Sequence, residues 1–83
     1  MYYLYIFKSL KDNNLYVGTT NDIEKRLKEH NNGKSKSTKL RRPFQLVHKE
    51  IYKTLSEARK REWYLKNHPT GQRLKKKLAS MRT

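Results

Sequence analysis

Three groups of side chains in this 83-residue sequence have types and spacings that suit chemistry on a phosphate. Arg26 and His30 stand four residues apart, one turn on the same face of any helix that carries them. Arginine offers a planar fork of donors that matches phosphate oxygens. Histidine titrates near neutrality and can position a water or carry a proton. Glu62 sits among Arg59, Lys60, Arg61 and Lys66, at helical spacing from Ala58 and Leu65. A carboxylate on the inward side of a basic helix needs a partner. Either a neighbouring cation supplies it, or the carboxylate is a ligand for Mg²⁺, which takes one or two carboxylates and completes its shell with water or phosphate. The third group is tyrosine, six in all, with Tyr5 and Tyr16 eleven residues apart across a polar turn. A phenol hydroxyl can orient an attacking water, and strand aromatics also serve simply as core. The sequence holds no P-loop, no HExxH, no nucleophile elbow and, with no cysteine, no thiolate or Cys-based zinc chemistry.

These side chains need elements to position them. Residues 2–8 are aromatic and branched and predict a strand, with Tyr3, Tyr5 and Phe7 on one face and Leu4 and Ile6 on the other. Lys11 to Asn14 is a turn, and Leu15 to Gly18 a second strand, giving a hairpin. Asn21 with Glu24 three residues later predicts a capped helix start, and Asn31, Asn32 and Gly33 its stop. Residues 33–42 form a basic loop. Phe44 to Tyr52 predicts a third strand, with Phe44, Leu46 and His48 set against Val47 and Ile51. Thr54 and Glu57 make a second capping box, opening a helix to about Lys66. A last helix over 70–80 carries Leu74, Leu78 and Met81 on one side. The order β-β-α-β-α-α predicts an α+β domain: a small three-stranded, mainly antiparallel sheet flanked by helices.

Composition sets the partner class. There are 21 Lys and Arg against 7 Asp and Glu, a formal net charge of +14. Leu, Ile, Val and Phe supply 17 of 83 residues, near the level at which a highly charged chain stays disordered. The agreement of caps, hairpin and amphipathic segments favours folding. Such a charge calls for an acidic polymer. Lys34, Lys36, Lys39, Arg41 and Arg42 form one cluster, and Arg73, Lys75, Lys76 and Lys77 another. They suit backbone phosphate contacts, which position a nucleic acid without reading it. The longest apolar run, Tyr2 to Phe7, is too short for a membrane span or a signal-peptide core. The expectation is therefore a protein that is not secreted, acting in the cytoplasm or at the nucleoid.

Tyr3-Leu4-Tyr5, Tyr16-Val17-Gly18, Arg26 and His30 on the next helix and Glu62 on a later one together resemble the GIY-YIG nuclease superfamily, in particular its small stand-alone members. The resemblance covers residues 2–66. Tyr3 stands in place of the first motif's glycine and Val17 in place of the second motif's isoleucine. The resemblance implies hydrolysis of phosphodiester bonds with one divalent metal, Mg²⁺ or Mn²⁺. It implies that Tyr5 and Tyr16 orient or deprotonate the attacking water, Arg26 stabilises the scissile phosphate, His30 assists one turn away, and Glu62 holds the metal.

The expectation is thus a single domain over residues 1–83, with its motif core at 2–66 and a basic helix at 70–80. It is expected to be an endonuclease acting on DNA ahead of RNA, on a branched, damaged or single-stranded form; a targeting protein partner is one of three alternatives, beside weak structure-selective action alone and loss of activity. The alternative is a non-catalytic nucleic-acid-binding module that keeps the fold and the charge. A third reading, a basic peptide acting on anionic membranes, rests on the amphipathic 74–81 segment alone.

Overall fold

The computed structural model describes residues 1–34 and 39–80. Lys36 and Met81 lie outside the described residues. The strands are β1 (Tyr2–Ser9), β2 (Leu15–Thr20) and β3 (Phe44–Tyr52). The helices are α1 (Ile23–Asn31), α2 (Leu55–Asn67) and α3 (Pro69–Ser80). The sheet runs β2-β1-β3 with both pairings antiparallel, so the expected α+β architecture is the one observed.

β1 is the central strand, and its alternation divides the core. Leu4 and Ile6 pack with Leu65 of α2 and Leu78 of α3, joined by Leu15, Val17, Val47, Tyr64 and Leu74. Tyr5 and Phe7 face the other way, with Phe44, Tyr16, Ile23, Leu27 and Leu46. The sheet is therefore covered on one face by α2 and α3 and on the other by α1. That is how a chain poor in branched aliphatics buries enough surface: aromatic residues fill the α1 side.

The hairpin turn closes with Asn13 at φ 62°, a left-handed conformation that asparagine tolerates. Ser9 is fully buried there, donating to the Arg41 carbonyl at 2.6 Å and accepting from the Lys11 and Asp12 amides. This ties the hairpin to the segment before β3.

Two local expectations are corrected. The α1 cap is Asp22, whose Oδ1 accepts from the Lys25 amide at 3.1 Å. Asn21 and Glu24 do not form the box, because Thr20 Oγ1 accepts from the Asp22 amide at 3.1 Å and sets the capping role one residue later. The helix stops where expected, with Asn31 its last residue, Asn32 its C-cap and Gly33 left-handed at φ 77°. The Asn31 side-chain amide also clamps the start of β3: Oδ1 accepts from the Phe44 amide at 2.6 Å and Nδ2 donates to the Phe44 carbonyl at 3.2 Å. Second, a bulge shifts the β1–β3 register between Ile6 and Phe7, which pair with His48 and Leu46. Val47 is the extra residue. His48 thus shares the α2 face with Ile6, opposite Phe44 and Leu46, and Ile51 pairs with Tyr3 on the α1 face, opposite Val47. The Thr54 cap forms as expected, accepting from the Glu57 amide at 3.2 Å.

Candidate active site

The α1 face of the sheet gathers four of the five residues singled out for chemistry. Tyr5 lies directly across from Gly18 in the β1–β2 ladder. A Cβ at position 18 would sit 2.3 Å from the Tyr5 hydroxyl and 2.5 Å from Cζ, so the phenol lies flat on β2 where only a glycine leaves room. Arg26, reaching down from α1, donates from Nε to the Tyr5 hydroxyl at 3.3 Å. That hydrogen bond holds the guanidinium above its ordinary pKa, against the opposing effect of partial burial. Arg26 is a permanent cation fixed beside a phenol oxygen.

His30, one turn along α1, is only 5% exposed. Its ring meets Phe7 edge-on at 5.4 Å and Phe44 at 5.6 Å, with Tyr5 at 6.5 Å. Burial, and then the charge of Arg26, push its pKa below the usual imidazole value. Its ring is part of the packing behind Tyr5, which itself stacks on Phe7 at 4.2 Å. Tyr16 is half-buried and stands edge-on to Phe44 at 5.3 Å. Among the described residues its hydroxyl has no hydrogen-bond partner. Lys49, exposed on β3 and paired across from Tyr5, adds a cation to the same face.

Glu62 is not brought into contact with this group. It projects from α2, which covers the opposite face and packs chiefly along β2 and β1. Its side chain is half-buried, and its carboxylate accepts from Lys66 Nζ, one turn on, at 2.7 Å. Among the described residues no hydrogen bond or ion pair joins Glu62 to Tyr5, Tyr16, Arg26 or His30. Among the described residues no three His, Cys, Asp or Glu side chains form a metal-binding group. A single carboxylate nevertheless fits Mg²⁺, whose remaining positions go to water and substrate phosphate. Lys66 is the counter-ion that a metal at Glu62 would replace.

The basic clusters are arranged less simply. Lys34, Lys39, Arg41 and Arg42 are exposed, but Arg41 is paired with Asp12 at 2.6 Å. On α3, Arg73, Lys76 and Lys77 are exposed and Lys75 is half-buried. The first cluster lies beside the hairpin turn, where Lys11 Nζ donates to the Leu40 carbonyl. The second rides on the helix packed against α2.

One polar cluster has no counterpart among the residues singled out from the sequence. Glu50 on β3 accepts from His48 Nε2 at 2.8 Å, from the Tyr52 hydroxyl at 2.5 Å and from Arg61 Nε at 3.0 Å. Burial works against this carboxylate, yet the hydrogen bonds from His48, Tyr52 and Arg61 prevail and hold its pKa below the usual value. Desolvation and the same carboxylate push Tyr52 up to about 12. Arg61 precedes Glu62, so this clamp sets the rotation of α2 about its axis. The only sequence sign was a single acid in β3; the bulge that aims it at α2 has no signature.

The α+β fold thus lays an Arg–Tyr pair over an edge-strand glycine. The chain belongs to the GIY-YIG family, whose catalytic-domain model matches residues 1–76. It is similar to the UPF0213 protein SSP2268 of Staphylococcus saprophyticus, 51% identical over 75 residues covering 89% of this chain and 90% of the relative. It is also similar to the UPF0213 protein CPE1444 of Clostridium perfringens, 47% identical over 75 residues covering 89% and 80%. The solution NMR structure of the UPF0213 protein BH0048 from Bacillus halodurans matches at 36% identity and a TM-score of 0.54, covering 96% of this chain and 84% of that one. These names state no activity. The family as a whole acts on nucleic acid and generally uses a divalent metal. Among the described residues no helix is long and apolar enough to cross a membrane.

Proposed function

We propose that this chain acts, as one domain, as a metal-dependent endonuclease that hydrolyses nucleic-acid phosphodiester bonds, with DNA ahead of RNA as substrate. The observation that carries the reading is the Arg26–Tyr5 hydrogen bond over Gly18. It fixes a phosphate-matching cation and a water-orienting hydroxyl in one place before substrate arrives, and such preorganisation is the main requirement of phosphoryl chemistry. Arg26 uses Nε on Tyr5, which leaves its terminal nitrogens for the scissile phosphate. The Tyr5 oxygen, already accepting from Arg26, has a lone pair left for the attacking water. Tyr16 brings a second hydroxyl to the same face. Glu62 would hold the divalent ion, which when bound neutralises charge developing on the phosphate.

His30 is assigned a positioning role. It is too buried to meet the substrate, and its neutral ring backs Tyr5 against Phe7 and Phe44. The net charge of +14 supplies the long-range attraction to the polymer. A branched, damaged or single-stranded substrate, a targeting protein, and action in the cytoplasm or at the nucleoid complete the proposal.

The test is cleavage of labelled single-stranded, duplex, nicked, flapped and branched DNA and matched RNA, with Mg²⁺, with Mn²⁺ and with chelator. Wild type is expected to cut only with metal, and Glu62→Ala to bind without cutting. Equal binding and no cutting by either protein would leave the non-catalytic module as the reading.

A further inference from the structure

Trp63 is the single tryptophan of the chain and is 64% exposed on α2. An exposed indole offers a partner a large apolar face, and the neighbours of this one decide what that partner is. Trp63 lines a shallow groove with Leu55, Ser56, Arg59 and Lys60. Arg59 and Lys60 are exposed, and neither pairs with a carboxylate among the described residues. The groove is thus an apolar ring flanked by two available cations.

Its place on the helix gives it a direction. Take Ala58 as facing the sheet and turn about 100° per residue. Glu62 then lies about 40° around α2, Arg59 about 100° and Trp63 about 140° in the same sense, while Arg61 lies about 60° in the opposite sense. Trp63 and Arg59 therefore continue the flank that carries Glu62, away from the Glu50 clamp. A strand passing Glu62 runs next onto Arg59 and Trp63.

From this we infer that the Leu55–Arg59–Lys60–Trp63 groove is a binding subsite for single-stranded nucleic acid, with an unpaired base stacked on the Trp63 ring and the flanking phosphates on Arg59 and Lys60. Stacking on an aromatic face beside basic side chains is the ordinary physics of sequence-independent single-strand binding. A second copy of this chain is disfavoured as the occupant, because two such faces would bring Arg59 and Lys60 against their like. The inference rests on the nuclease reading for its biological sense, and its test does not depend on cleavage.

Because Trp63 is the only tryptophan, its emission reports the groove directly. The full chain is titrated with a short oligothymidylate in chelator, with a duplex of equal length in parallel, while anisotropy of a labelled strand reports total binding. Single strand is expected to quench Trp63 at saturation, and duplex to bind with little quenching. Trp63→Ala is expected to weaken single-strand binding about tenfold, and Trp63→Phe to restore part of it. Replacing Arg59 and Lys60 by Gln is expected to lower the salt slope by about 1.4. Unchanged emission at saturation overturns the proposal, as does a Trp63→Ala affinity equal to wild type with circular dichroism intact. So does a Trp63-dependent dimer in sedimentation, which would assign the groove to protein. Failure of this subsite leaves metal-dependent cleavage standing, and failure of cleavage leaves the quenching result standing.

Discussion

Glu50→Gln separates the clamp on α2 from ordinary surface electrostatics. The Glu50 side chain is 20% exposed and Arg61 33% exposed, and three side chains donate to the one carboxylate. Glutamine keeps the shape and one acceptor but removes the charge. Breaking a fully buried ion pair costs about 3–5 kcal/mol, whereas an exposed pair contributes about 0–1 kcal/mol. With one partner a third exposed, the loss should fall between these, at about 2 kcal/mol. At about 4–8 °C per kcal/mol for a domain of this size, Tm should drop by about 8–16 °C. The assay is thermal unfolding by circular dichroism at neutral pH and low salt, for wild type, Glu50→Gln, Arg61→Gln and the double variant. The two substitutions should be strongly non-additive. Asp12→Asn, which breaks the exposed Arg41 pair, is the control and should leave Tm within scatter. A Glu50→Gln shift below about 3 °C, or additive singles, would refute the reasoning. Glu50→Gln should also slow cleavage at a temperature where it is folded, because Glu62 follows Arg61 on the same helix.

Gly18→Ala should destabilise the fold by about 1–3 kcal/mol and abolish cleavage together, because the new methyl claims the space of the Tyr5 hydroxyl; folded, fully active protein would remove Tyr5 from the site. Tyr5→Phe should keep its fold by circular dichroism and lose cleavage by about 100-fold or more, an oxyanion-scale effect, and Arg26→Ala should do the same with weaker substrate binding. Stability should fall on acidification in two stages. His30 and Glu50 both have depressed pKa values in the fold, so each stabilises above its unfolded pKa and loses that contribution as pH falls through its folded value. The first stage opens as pH falls through the ordinary imidazole range, is complete below it, and is absent in His30→Gln; the second opens in the ordinary carboxylate range, is complete below it, and shrinks in Glu50→Gln to what Asp12 contributes. Tm against pH for the three proteins checks both. If His30 only packs behind Tyr5, His30→Gln should raise KM or lower kcat without shifting the pH profile of kcat.

Much of the fold was legible because β1 carries its instructions locally. The alternation Tyr3-Leu4-Tyr5-Ile6-Phe7 states a two-faced central strand, and the two cores follow it. Arg26 and His30 at one-turn spacing had to share a helix face, and the tyrosine motifs had to flank a hairpin. Thr54 with Glu57 announced α2 for the same reason: a cap needs only its own four residues.

What lay outside local reach depended on register and on distant partners. The bulge at Val47 turns His48, Glu50 and Tyr52 toward α2, and nothing in residues 44–52 distinguishes that from unbroken alternation. Asn31 ends α1 as its neighbours dictate, but its clamp on the Phe44 backbone, 13 residues away, has no local sign. Gly18 carries a motif role that only the Tyr5 ring lying across it explains. Residue types and short spacings determined which groups this protein has for chemistry and the elements that hold them. Tertiary structure alone decided that Arg26 meets Tyr5 over a glycine, that His30 is sealed behind them, and that Glu62 forms no hydrogen bond or ion pair with them. Contacts between remote segments come from packing, which no window of sequence contains.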